Sequence, residues 1–147
     1  MGNLNAIFQL INPGNTITAN RALAHAIGLT ETIIYSALIA KYAYYESREM
    51  LYQERWFYCT FIDLQESTTF SKKVQSRAID HLEQLGLISV MSAGMPAKRY
   101  ISLSDDVELL RRLIEEGMKR SAAIAEKSRN RLQEYISKRK NKKTGDL

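Results

Sequence analysis

The sequence predicts a mainly α-helical fold with a small antiparallel sheet. Three observations lead there. The run Ser71 to Leu87, SKKVQSRAIDHLEQLGL, reads as one helix with its own start and stop signals. Upstream, Phe61 or Ile62 with Leu64 makes a short amphipathic helix, and Glu66-Ser67-Thr68-Thr69 a tight polar turn, which together give a helix-turn-helix. Downstream, Ile88, Val90 and Met91 form one strand and Arg99 to Leu103 another, joined by the turn Ala93-Gly94-Met95-Pro96. Trp56-Phe57-Tyr58 is a third strand candidate. The order strand, helix, helix, strand, turn, strand is that of a winged helix-turn-helix, here with extra N-terminal helices and a long C-terminal helix.

The central helix carries most of the information. Ser71 is a good N-cap, because its hydroxyl can accept from a free amide of the first turn. Gly86 is a good C′ residue, because glycine enters the left-handed conformation without steric cost, and Leu87 folds back as its apolar partner. Val74, Ala78, Leu82 and Leu85 fall on one face and are expected to be buried. The opposite face carries Lys72, Lys73, Ser76, Asp80 and Glu83, with Arg77 on a flank. Cations therefore sit at the positive end of the helix dipole, which disfavours them by a few tenths of a kcal/mol or about 1 kcal/mol. A polyanion docked at that end would offset the cost; an ordinary solvated charged face is the simpler alternative.

Length and composition set the frame. The chain has 147 residues, 45% of them hydrophobic, enough for one domain with a core of its own and an appendage. The expected division is residues 1–103, with a core over 56–103, followed by residues 104–147. No apolar run is long enough to span a membrane, the N-terminus lacks a cationic start, and the single Cys59 excludes an internal disulfide. A reducing cytoplasm and no membrane partner are the expectation. The net charge of +5 is uneven: Lys119 to Leu147 holds ten basic and three acidic residues, a net of +7, which leaves −2 for the rest. The body is not a basic domain, so a DNA site on it has to be a local patch.

Along the chain, Ile7 to Ile11 reads as a strand or extended arm before the turn Asn12-Pro13-Gly14-Asn15. Thr18 is expected to cap a helix over Ala19 to Ile27, closed by Gly28, and Thr30 to cap a second helix reaching about Arg48. The second turns Ile33, Ile34, Ala37, Leu38, Tyr42 and Tyr45 inward. Tyr42, Tyr44 and Tyr45 read as packing residues in preference to a stacking platform for single-stranded DNA. Met50 to Arg55 is a linking turn, the strand aromatics are core anchors, and Cys59 is a small buried hydrophobe. Ser104-Asp105-Asp106 starts the last helix. Its stripe of Val107, Leu110, Leu113 and Ile114 is interrupted at Glu115-Glu116-Gly117. The helix is expected to run to about Lys138, with Lys138 to Lys143 a cationic tail, disordered when free. The broken stripe predicts self-association, a dimer preferred.

His25 and His81 lie on separate helices without metal-site spacing, and there is no P-loop, G-x-G-x-x-G or G-x-S-x-G. Asp105-Asp106 is helix capping. No catalytic constellation, cofactor or metal is expected. The expected partner is double-stranded DNA, with the helix from Ser71 entering the major groove N-terminus first. Lys73 or Arg77 would donate to guanine O6 and N7, with Ser76 beside them. Ser71 and Lys72 would hold phosphates, and Lys98 and Arg99 on the hairpin would meet phosphate or the minor groove. Gln75, nearer the buried face, is a weaker candidate.

The run Trp56 to Leu103 resembles the winged-helix domain of bacteriophage and plasmid replication-initiation proteins, the replisome organisers grouped with DnaD-like primosome components. The matching features are the aromatic strand, the helix start SKKVQSRA, the exit LEQLGLI and the hairpin GMPAKRY. ITANRALAHAIGLTETIIYSALIAKYAYY looks like the lead-in of the same proteins, so the resemblance extends from about residue 16 to 103. It implies DNA binding in replication initiation, with replication proteins as further partners, and says little about the last third of the chain. Two other readings stand beside it: a transcription regulator on the same fold, and a protein-interaction module for which the near-neutral body speaks.

Overall fold

The computed structural model describes residues 2–11 and 14–145. Among them are six helices and three strands, in the order α1 (Gly2–Ile11), α2 (Arg21–Ile27), α3 (Leu29–Ser47), β1 (Phe57–Tyr58), α4 (Phe61–Thr68), α5 (Lys72–Gln84), β2 (Ile88–Ala93), β3 (Lys98–Leu103) and α6 (Val107–Gly145). The expected class, mainly helical with a small sheet, and the expected order of elements from β1 to β3 are both present. No helix among the described residues is long and apolar enough to cross a membrane.

The sheet has the order β1-β3-β2, antiparallel throughout. Register puts Phe57, Ile101 and Val90 side by side on the inner face, and Tyr58, Tyr100 and Met91 on the outer one. Side chains alternate between faces along a strand, so a two-residue β1 still presents one ring to each. Phe57 and Ile101 are fully buried with Ile34, Leu38, Leu64, Leu82 and Leu87. The inner face thus meets α3, α4 and α5 in one core.

The signals at the ends of α5 act as read. Ser71 Oγ accepts from Val74 N at 3.4 Å. At the other end Gly86, with φ +82°, donates to Glu83 O and Leu87 donates to Leu82 O, the paired bonds of a Schellman cap. The register of the buried face differs from the expectation. Gln75, Ala78, Ile79 and Leu82 are buried, Leu85 is half-buried, and Val74 is 39% exposed. The cause is the polar Gln75, whose amide Nε2 donates to Phe61 O at 3.0 Å and Phe70 O at 2.8 Å. Those two bonds offset part of the cost of burying the amide, whose Oε1 has no partner among the described residues, and with Gln75 inward Val74 is left partly exposed.

Several local expectations are corrected. Ile7 to Ile11 belongs to the helix α1, with Leu4, Ile7, Phe8 and Ile11 at helical spacing on an exposed surface. Part of the turn expected next, Asn12-Pro13, lies outside the described residues. Asn20, not Thr18, caps α2, its Oδ1 accepting from Leu23 N at 2.8 Å. Thr30 caps nothing, because α3 starts at Leu29 directly after Gly28, which turns the chain with φ +109°. Asp106 is the residue whose carboxylate accepts from an amide of α6, that of Leu109 at 3.0 Å, while Ser104 Oγ accepts from Asp106 N.

The largest correction concerns α6. Gly117 does not break it. The glycine is buried where α2 crosses, so close that a β-carbon there would fall inside the Ala22 carbonyl. Arg120, paired with Glu116, donates to the free carbonyls of His25 and Ala26 at the end of α2. Leu109, Leu110, Leu113 and Ile114 are half-buried against the core. Of the stripe expected to be uncovered, Leu110, Leu113 and Ile114 are thus partly covered within the chain, while Val107 stays 61% exposed. Beyond Ser121 every residue of α6 that the structure describes is exposed, yet the helix continues to Gly145, past the expected stop. Good helix formers and local bonds such as Glu134–Lys138 at 3.0 Å carry it, so the segment expected to be a disordered tail is helical.

Candidate nucleic-acid interface

The seven residues singled out in the sequence occupy two neighbouring elements. Ser71, Lys72, Lys73, Ser76 and Arg77 lie at the cap and in the first two turns of α5, and Lys98 and Arg99 at the turn end of the β2–β3 hairpin. Phe61, the first residue of α4, brings the two elements together. The Lys72 ammonium lies 5.0 Å from its ring centroid and the Arg99 guanidinium 4.0 Å. Each such contact is worth about 0.5–1 kcal/mol at an exposed site. Arg99 is also held by its Nε, which donates to Cys59 O at 3.0 Å. It is a charge in a fixed place. Lys98 is exposed and its ammonium lies 5.3 Å from the Tyr58 ring.

Lys73 and Arg77 are exposed one turn apart, and among the described residues neither belongs to an ion pair. Of the later acids of α5, Asp80 is exposed three residues on from Arg77 and forms no ion pair with it among the described residues. Glu83 Oε2 accepts from Val90 N at 3.0 Å, and Glu83 lies at the opposite end of the helix. His81 Nδ1 meets Glu31 at 3.2 Å, joining α5 to α3 and not forming part of the patch. Ser71 is engaged as the cap and Ser76 is half-buried. Gln75 is unavailable to a ligand, since it is buried.

Two residues of this face escaped the sequence reading. Val74 was assigned to the core but lies in the open beside Lys73 and Arg77. Phe61 was recognised only as an apolar position of a short helix. Nothing local in the sequence signals that a side chain 38 positions later, Arg99, packs on it. Cys59 is fully buried, and burial pushes its thiol up, so it is the inert hydrophobe expected. Among the described residues no group of three or more His, Cys, Asp or Glu could hold a metal ion.

No family model matches the chain, and no curated protein matches it either. Two solved structures share its fold. One is described as "N-Terminal domain of DNA binding protein", with a TM-score of 0.53 and 13% identity over 67% of this chain and 81% of that one. The other is described as "Structure of Rep-DNA complex", with a TM-score of 0.52 and 13% identity over 67% of this chain and 82% of that one. At that identity the likeness is one of fold.

Proposed function

We propose that the chain is a duplex-DNA-binding protein of the replication-initiation type, working as a winged helix without catalysis of its own, in the cytoplasm. The observation that carries this reading is the Phe61 junction. It ties the cationic start of α5 and the turn end of the hairpin into one face, from which Lys73 and Arg77 project unpaired. In this reading Lys73 and Arg77 donate to base edges, and Val74 meets a thymine methyl. Lys72, Ser71 and Arg99 set the position on phosphates, and Lys98 meets phosphate or the minor groove. The fold shared with a DNA-binding N-terminal domain and with a protein from a Rep–DNA complex supports the same reading. The phage or plasmid setting rests on the resemblance of Trp56 to Leu103 alone. The test is selection of bound sequences from a random duplex pool. A recovered consensus that Lys73→Ala or Arg77→Ala weakens supports the reading, and recovery of no consensus counts against it.

Self-association belongs to the proposal, on a changed basis. The stripe on α6 is partly covered within the chain, only Val107 being exposed, whereas the apolar side of α1 is open, with Phe8 58% exposed. A second copy of the chain is the occupant that reading implies, with a dimer preferred. Sedimentation showing only a 16.8 kDa species at micromolar concentration would sink it.

A further inference from the structure

The outer face of the sheet has no helix on it. The segment before β1 folds back there as a small hairpin, in which Tyr52 and Trp56 exchange backbone hydrogen bonds of 2.7 and 2.9 Å. Its turn residues Gln53 and Glu54 have φ of 49° and 64°, left-handed conformations that residues with side chains adopt at a cost. The hairpin sets the Tyr52 ring 5.2 Å from Tyr100, and Tyr58 lies 6.0 Å from Tyr100 on the other side. Tyr52 is 43% exposed. The three rings, Lys98 and Glu49 line a shallow cleft of about 500 Å³. Of the tyrosines of α3, Tyr42 and Tyr45 pack on Phe57, Tyr45 also lining this cleft, while Tyr44, 52% exposed, carries Arg48 at 3.7 Å from its ring.

Rings of this kind, beside a cation, suit a ligand that is flat, aromatic and anionic by turns. A nucleotide has that chemistry: its base stacks on a tyrosine and its phosphate meets an ammonium. We propose that Tyr52, Tyr58 and Tyr100, with Lys98, form a stacking site for unpaired DNA, taking one or two bases of a strand opened beside the bound duplex. The carboxylate of Glu49 is an acceptor for a base N–H, such as N3–H of thymine. The inference rests on the DNA-binding reading, because Lys98 serves both surfaces at the turn end of the same hairpin. A proline-rich peptide would also find tyrosines to pack on, but it has no use for the cation.

The experiment compares a fluorescent oligothymidylate with a duplex of the selected sequence, by anisotropy on the full chain. Tyr52→Ala and Tyr100→Ala should each lower single-strand affinity by about 5- to 100-fold, the effect of losing one stacked base, and leave duplex affinity unchanged. Tyr100→Phe keeps the ring and should keep the affinity. Photocrosslinking of the unmodified protein to a strand carrying 5-iodouracil should give adducts at Tyr52, Tyr58 or Tyr100, a readout that does not depend on the variants folding. Duplex binding without single-strand binding would overturn the site and spare the duplex reading. So would adducts confined to other residues such as Tyr135, or displacement of the strand by a proline-rich peptide and not by free oligothymidylate. A protein that binds neither form of DNA would overturn both.

Discussion

The cations at the start of α5 sit in a packed frame, and those in the far half of α6 do not. Lys72 and Arg99 converge on one ring, Lys73 and Arg77 rise from a helix held by Gln75, Ala78, Ile79 and Leu82, and the geometry is fixed by the core. Residues 122–147 hold eight basic and three acidic residues on a helix that, where described, touches no core. The first arrangement can match a pattern of donors and acceptors. The second can match only a density of negative charge. Charge alone would have pointed to the tail, since the rest of the chain is close to neutral. What separates the two regions is which charges are held still.

The largest expected effects separate the packed frame from the free helix by stability. Leu82→Ala should cost about 2–5 kcal/mol in denaturant unfolding, as for a fully buried leucine. Removing residues 122–147 should change the unfolding free energy by no more than about 0.5 kcal/mol, because no described side chain there is buried. A large loss on truncation would mean that the far half of α6 packs on something, and the contrast would fail.

The same helix supplies a narrower pair. Gly117→Ala forces a methyl group into the Ala22 carbonyl and should destabilise by about 1–3 kcal/mol or more. Gly145→Ala meets nothing and, at the end of a stretch that touches no core, should leave stability unchanged within about 0.5 kcal/mol. Thermal melts of the two variants decide whether α2 and α6 touch as described. If Gly117→Ala melts like the parent, the crossing is wrong.

How much of this was legible follows from where the signals lie. The ends of α5 were readable because Ser71 and Gly86 act on neighbouring backbone groups. The cations from Lys72 to Arg77 share one stretch of sequence and so stand out, whereas their meeting with Arg99 does not show there. Ala78 and Leu82 lie inward as the spacing of α5 predicts, but Gln75 takes the place expected for Val74, since its partners are the carbonyls of Phe61 and Phe70, brought close only by the fold. Gly117 looked like a break in a helix because the backbone that needs its missing side chain comes from Ala22, far away in sequence. The apolar run in α1 was short enough to pass for a strand. The junction at Phe61 had no local signature at all.

Smaller effects sharpen the division within the patch. Phe61→Leu removes both cation–π contacts, about 0.5–1 kcal/mol each, and frees Lys72 and Arg99 together. Duplex affinity should fall while stability changes little beyond that. Lys98→Ala should weaken all duplexes alike and lower the salt slope by roughly one phosphate contact. Isothermal titration at several salt concentrations reads both. A Lys98→Ala effect confined to one sequence would place Lys98 on a base and not on the backbone.

The most direct test of the central claim is the affinity for selected and scrambled duplexes, at low and high salt, for the parent, the 122–147 deletion, Lys73→Ala and Arg77→Ala. The account predicts that the deletion weakens both duplexes equally and flattens the salt dependence. Either point substitution should remove about 1–3 kcal/mol of preference for the selected site. A deletion that abolishes all binding, with Lys73→Ala and Arg77→Ala indistinguishable from the parent, would contradict it and leave the free helix of α6 as the only contact with DNA.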